Sequence, residues 1–195
     1  MLDRYTEPPR DAATLAARRE ALLDQLGWLE DEAAALAPLL AALPAWAVEQ
    51  APLPTQLSAK ETFAALEALD REVYPAWIDR LQREDAPGLG TPDPLPGSHG
   101  ATSGGDRAAN DRDLDDLLGA LRRSRAALRE TLEAVPPEAW ARRATLDGAE
   151  TDLYGLALAI VQRDADHLKE LAYRLHEADL RPRTPADDLP RPPQA

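Results

Sequence analysis

Residues 14–43 read TLAARREALLDQLGWLEDEAAALAPLLAAL, and the leucines of that stretch decide the fold. Leu15, Leu22, Leu29, Leu36 and Leu43 fall on one heptad position, and Leu26, Ala33 and Leu40 fill the alternate seam. Positions three and four apart share a helix face, so this a/d pattern predicts one long amphipathic helix with a narrow apolar stripe. Thr14 is placed to open it and Pro44 to stop it after Leu43. A stripe of this kind is buried most economically against other helices at shallow angles.

Three further segments carry the same period. The second helix opens at Ser58, three residues before Glu61. In that capping-box spacing each side chain satisfies the other residue's free backbone N–H. It runs through Phe63, Leu66, Leu69 and Val73, and Pro75 is expected to kink or break it before Trp77, Ile78 and Leu81. The third helix begins near Asp113, places Leu114, Leu117, Leu118, Leu121, Leu128, Leu132 and Val135 on one stripe, and is closed by Pro136 and Pro137. The fourth starts at Thr151 and carries Leu156, Ile160, His167, Leu168, Leu171 and Leu175 before Pro182. No segment alternates convincingly with period two. The expected fold class is all-α, a four-helix bundle with a long crossover between the second and third helices.

The domain boundaries follow from composition. Residues 1–13 read as a flexible N-terminus, residues 14–179 as the bundle and residues 180–195 as a proline-rich disordered tail. Within the bundle, residues 85–112 are rich in proline and glycine and are expected to form a loop without regular structure. Its Ser98–His99 pair has no assignable carboxylate partner and reads as solvated loop.

At 195 residues, 44% hydrophobic and 29% charged, the chain has enough apolar material for one domain with its own core. Cysteine is absent, which removes disulfides, thiolate nucleophiles and cysteine-based zinc sites. No run approaches the length of a membrane span, so no membrane partner and a cytoplasmic location are expected. The net charge of −13, with arginines dispersed among carboxylates, disfavours nucleic acid as a partner.

A weak internal repeat is visible. Leu43, Pro44 and Trp46 lead to the Ser58 cap, and Val135, Pro136 and Trp140 lead to the Thr151 cap. This arrangement, over roughly residues 15–175, resembles the DinB-like superfamily of four-helix proteins, which includes metal-dependent hydrolases and thiol-dependent transferases. The residues that carry the resemblance are Leu57 to Leu66 around the Ser58 cap, Val135 to Trp140 in the linker, and Asp164 to Leu168 on the last helix.

The resemblance implies a metal held by one histidine from the second helix and two, four apart, on the fourth. In this chain those positions hold Ala65, Arg163 and His167. One imidazole does not hold zinc or nickel tightly, and Arg163 brings a fixed positive charge to the place of the cation. No cofactor is therefore expected, with zinc or nickel as the alternative if His167 and carboxylates rebuild a ligand set. Glu61 and Glu72 on the Ala65 face, and Asp164 and Asp166 beside Arg163, are the available acids. The simpler role is for Glu61 or Glu72 to bridge a buried or half-buried Arg163, and if that partner carboxylate is buried, losing Arg163 costs roughly 3 kcal/mol. Tyr74 and Trp77, near the long loop, are candidates for a pocket wall, while Trp46 and Trp140 are expected to plug the bundle ends with their indole N–H groups on loop carbonyls. The candidate ligand site is thus Arg163, His167, Tyr74, Trp77, Glu61 and Glu72. A small anionic ligand and a homodimer are the expected partners, with a metal-dependent hydrolase or transferase as the alternative activity.

Overall fold

The computed structural model describes residues 11–51, 56–90 and 107–180, and these are mostly helical. Helix α1 spans Ala12–Ala41, the short α2 spans Ala45–Glu49, α3 spans Ala59–Ala68, α4 spans Tyr74–Arg83, α5 spans Leu114–Glu133 and α6 spans Leu153–Leu180. Two single turns of 3-10 helix lie at Arg107–Asp111 and Pro137–Ala141. A small antiparallel hairpin pairs β1 (Ala144–Leu146) with β2 (Ala149–Thr151). No helix among the described residues is long and apolar enough to cross a membrane.

Helix α1 buries the seam read from the sequence: Leu22, Leu26, Leu29, Ala33, Leu36 and Leu40 are inside, while Leu15 is half-buried. Its start lies earlier than Thr14. Asp11 is the cap, its Oδ1 accepting from the N–H groups of Ala13 and Thr14 at 3.1 and 3.0 Å. A carboxylate facing the positive end of a helix is a better cap than a hydroxyl, and the Thr14 hydroxyl itself donates to Asp11 at 2.6 Å. The helix ends at Ala41, with Leu43 N–H folding back to the Leu40 carbonyl at 3.1 Å.

The second helix forms with its complete capping box. The Ser58 N–H donates to Glu61 Oε2 at 2.7 Å and the Glu61 N–H to Ser58 Oγ at 3.0 Å. Pro75 neither breaks nor ends it. Between α3 and α4 the chain makes a π turn over Leu69–Val73, closed by the Tyr74 N–H on the Leu69 carbonyl, and Pro75 then sits in the first turn of α4, where its missing N–H costs nothing. The third helix keeps its expected start, with Asp113 accepting from Asp115 N–H at 2.9 Å. Helix α6 starts two residues later than expected, because Asp152 is its cap and accepts from the Gly155 N–H at 2.9 Å.

The one sheet among the described residues is a small hairpin, which leaves the fold all-α. Its two-residue turn is Asp147–Gly148, with φ of 54° and 78°, the mirror-image geometry that Asp-Gly pairs favour. The stretch expected as featureless loop is also structured at both ends. Leu89 N–H donates to the Thr145 carbonyl at 2.8 Å and Thr145 N–H to the Pro87 carbonyl at 2.9 Å, and Ala109 in the 3-10 turn is fully buried. Lys60 secures that turn and α2 together. Its buried ammonium binds Glu49 at 2.9 Å and the carbonyls of Asn110 and Arg112 at 3.1 and 2.8 Å. Ser98, His99 and the tail beyond Leu180 lie outside the described residues, as do residues 1–10.

Helix α1 packs on α5 and α6, and α3 packs on α5 and, less extensively, on α6. The apolar interior falls into two large clusters. One gathers Leu22, Leu26, Tyr74, Trp77, Ile78, Leu128, Leu132, Trp140 and Ile160. The other gathers Leu29, Leu36, Leu40, Phe63, Leu66, Leu118, Leu121, Leu168 and Leu171.

Candidate functional site: a charged layer between two apolar clusters

On each of three helices an ionisable residue sits within the buried stripe at the same level. On the second helix Asp70 falls between Leu66 and Tyr74, on α5 Arg125 falls between Leu121 and Leu128, and on α6 Asp164 falls between Ile160 and Leu168. Arg125 Nε donates to Asp70 Oδ2 at 2.8 Å, and Arg125 Nη1 lies against Asp164 Oδ2 as an ion pair. The three side chains are 0–4% exposed. Ser124, beside Arg125, returns its hydroxyl to the Leu121 carbonyl at 2.9 Å.

The π turn positions Asp70. An extra residue in one turn rotates the helix face, and here it turns a carboxylate inward next to the buried Tyr74. Burial pushes the Asp70 carboxyl up to about 7, with Arg125 pulling it down and Asp164 adding repulsion. Burial likewise raises Asp164 against the pull of Arg125 and Arg163. Burial opposes the charge of Arg125, but Asp164 and Asp70 outweigh it and hold the guanidinium more firmly protonated than usual. Asp70 Oδ1 and Asp164 Oδ1 find no hydrogen-bond donor among the described residues.

At the edge of this layer stand the residues singled out in the sequence. Arg163 is half-buried and donates from Nη1 to Tyr74 Oη at 3.2 Å. Burial drives the Tyr74 hydroxyl up to about 12, with Arg163 working against that shift, so it stays a neutral phenol. Tyr74 meets Trp77 edge to face at 6.0 Å, and both rings are inside the first apolar cluster. His167, one turn beyond Arg163, is half-buried. Burial chiefly lowers its pKa, and Arg163 and Arg174 add to this against the pull of Glu170 and Asp166.

The two acids expected to bridge Arg163 are engaged elsewhere. Glu61 is buried in the Ser58 capping box. Glu72 faces solvent and binds Arg71 at 2.7 Å, because the π turn shifts the face on which it would otherwise lie. Ala65 is half-buried against the first cluster. Thus Arg163 meets Tyr74, Tyr74 meets Trp77 and His167 follows Arg163 by one turn, while Glu61 and Glu72 are engaged apart from them. The buried arginine is Arg125, which the sequence reading passed over. The signal was present as a charged residue in core register on each of three helices.

The residues at the three positions where the resemblance would place metal ligands do not fit a divalent cation. Ala65 has no donor atom and Arg163 is a permanent cation. Trp140 is fully buried in the first cluster, but its indole N–H reaches no acceptor among the described residues. Its ring instead carries Arg19 at 5.4 Å and packs on Tyr154 at 5.1 Å, and Arg19 Nη2 donates to the Glu133 carbonyl at 2.7 Å. Trp28, by contrast, is 72% exposed. No family model, no curated protein and no solved structure matches this chain.

Proposed function

We propose that the chain is a DinB-like four-helix bundle whose metal chemistry has been replaced, and that it binds a small anionic ligand at the rim formed by Arg163, His167, Tyr74 and Trp77. The observation that carries this reading is the partner of Arg163. A guanidinium held by a neutral phenol keeps its charge available, whereas one bridged to carboxylates does not. On a chain of net charge −13 a half-buried cation of this kind is selective for anions small enough to reach it past the acidic surface. His167 supplies an adjacent donor or acceptor, and the neutral form favoured by burial lets it do either.

Calorimetric titration with inorganic phosphate and with succinate tests the reading. Binding by the natural chain and a loss of about tenfold or more in Arg163→Gln are expected, since one charge-assisted hydrogen bond contributes about 1.5–3 kcal/mol. Absence of binding of either anion would remove the proposal. The correspondence of positions is tested separately. Ala65→His together with Arg163→His is expected to create affinity for nickel or zinc, and no gain would mean that these positions do not share one site.

A further inference from the structure

We infer that Asp70 and Asp164 hold one proton between them around Arg125 at neutral pH, so that the charged layer is electrically neutral and becomes a buried anion when the proton leaves. The geometry supports this by charge count. Two carboxylates and one guanidinium, all closed to water, leave one negative charge without a counterion. An unpaired buried charge is costly enough that a protein interior neutralises it by protonation rather than carry it. The hydrogen-bond count points the same way. Asp70 Oδ1 and Asp164 Oδ1 are acceptors without a donor among the described residues, and a proton on either carboxylate supplies the donor that the layer lacks.

Among the described residues the surroundings neutralise this charge only in part: Arg163 pulls on Asp164, but more weakly than Arg125 does. Glu67 of α3 is a like charge and is tied to Arg71 at 2.5 Å. Tyr74 of α4 is a neutral phenol occupied by Arg163, and Arg163 of α6 lies at the rim, half-buried. Helix α1 buries only apolar residues. Burial raises both carboxyls, so the proton belongs to the pair rather than to either residue alone. Release is a simple ionisation: the carboxylic O–H breaks, the proton goes to solvent and the electron pair stays on the carboxylate. Because the layer joins the π turn, α5 and α6, the event weakens the junction between the two apolar clusters.

The sign follows from linkage. An unfolded aspartate ionises near pH 3.9 and the folded one near 7, so the folded state binds more protons in between and stability falls as pH rises from about 4 to about 7. Two measurements on the full chain test this. Infrared difference spectra are expected to show a protonated carboxylic acid at pH near 6 that disappears on raising the pH and is missing in Asp70→Asn or in Asp164→Asn. Urea unfolding across the same range is expected to show the downward slope in the natural chain and its loss in Asp70→Asn. A spectrum without a protonated carboxyl, or one whose band survives both substitutions, would overturn the inference. If neither variant folds, the band of the natural chain and its pH dependence still decide it.

Discussion

Arg125 Nε donates to Asp70 Oδ2 at 2.8 Å, joining residues 55 apart in sequence at the level where the two apolar clusters meet. The bond fixes the π turn of the second helix against the middle of α5, and Asp164 completes the arrangement from α6. Buried ion pairs add little net stability against an apolar replacement, but removing one partner leaves an uncompensated charge. The layer therefore acts more as a register device than as a source of stability. It favours the one alignment in which three charged residues meet.

Arg125→Met should lower the free energy of unfolding by about 3–5 kcal/mol, because it strands two buried carboxylates. Adding Asp70→Asn and Asp164→Asn to it should recover most of the loss, a non-additivity readable in urea unfolding midpoints. A single substitution without effect would place Arg125 in water.

Arg163→Ala should cost only about 1 kcal/mol, the worth of one hydrogen bond to a neutral partner. That is less than the buried carboxylate bridge read from the sequence would require. A double-mutant cycle with Tyr74→Phe isolates the term. A loss several times larger would show that Arg163 is paired with an acid after all.

His167 and Asp70 should give opposite pH dependences. Burial lowers the His167 pKa below its usual 6.5, so the unfolded chain takes up protons first and stability falls as pH drops below about 6.5. His167→Gln should flatten the acid limb of a stability profile and leave the slope attributed to Asp70. If the acid limb is unchanged, the imidazole is as exposed in the folded chain as in the unfolded one.

Gly155 lies in the first turn of α6, where an added methyl group would collide with the Thr151 hydroxyl. Gly155→Ala should destabilise by about 1–3 kcal/mol despite the better helix propensity of alanine. Thr151→Ala should suppress most of that cost, since it removes the atom that is struck. Thermal unfolding of the single and double variants distinguishes this clash from a general intolerance of α6.

The sequence was most legible where structure is local. The heptad leucines of α1, the Ser58 capping box and the Asp113 start are set by residues within one or two turns of each other, and all are present. The Asp147–Gly148 turn was equally local and equally readable, yet strands of three residues are too short to show a period. Pro75 misled for a different reason. A proline forbids one hydrogen bond in a regular helix, and the π turn before it removes the need for that bond.

By itself, then, the sequence determined which faces are apolar, where most helices begin, and that Arg163 and His167 share a side of the last helix. Only the tertiary structure decided that Arg125 rather than Arg163 is the arginine buried between the clusters, that Asp70 and Asp164 converge on it, and that Glu72 faces water. Helix periodicity is a property of neighbours along one chain segment. The pairing of charges depends on the level at which separate helices meet and on the rotation one π turn imparts, and neither is written in any single segment.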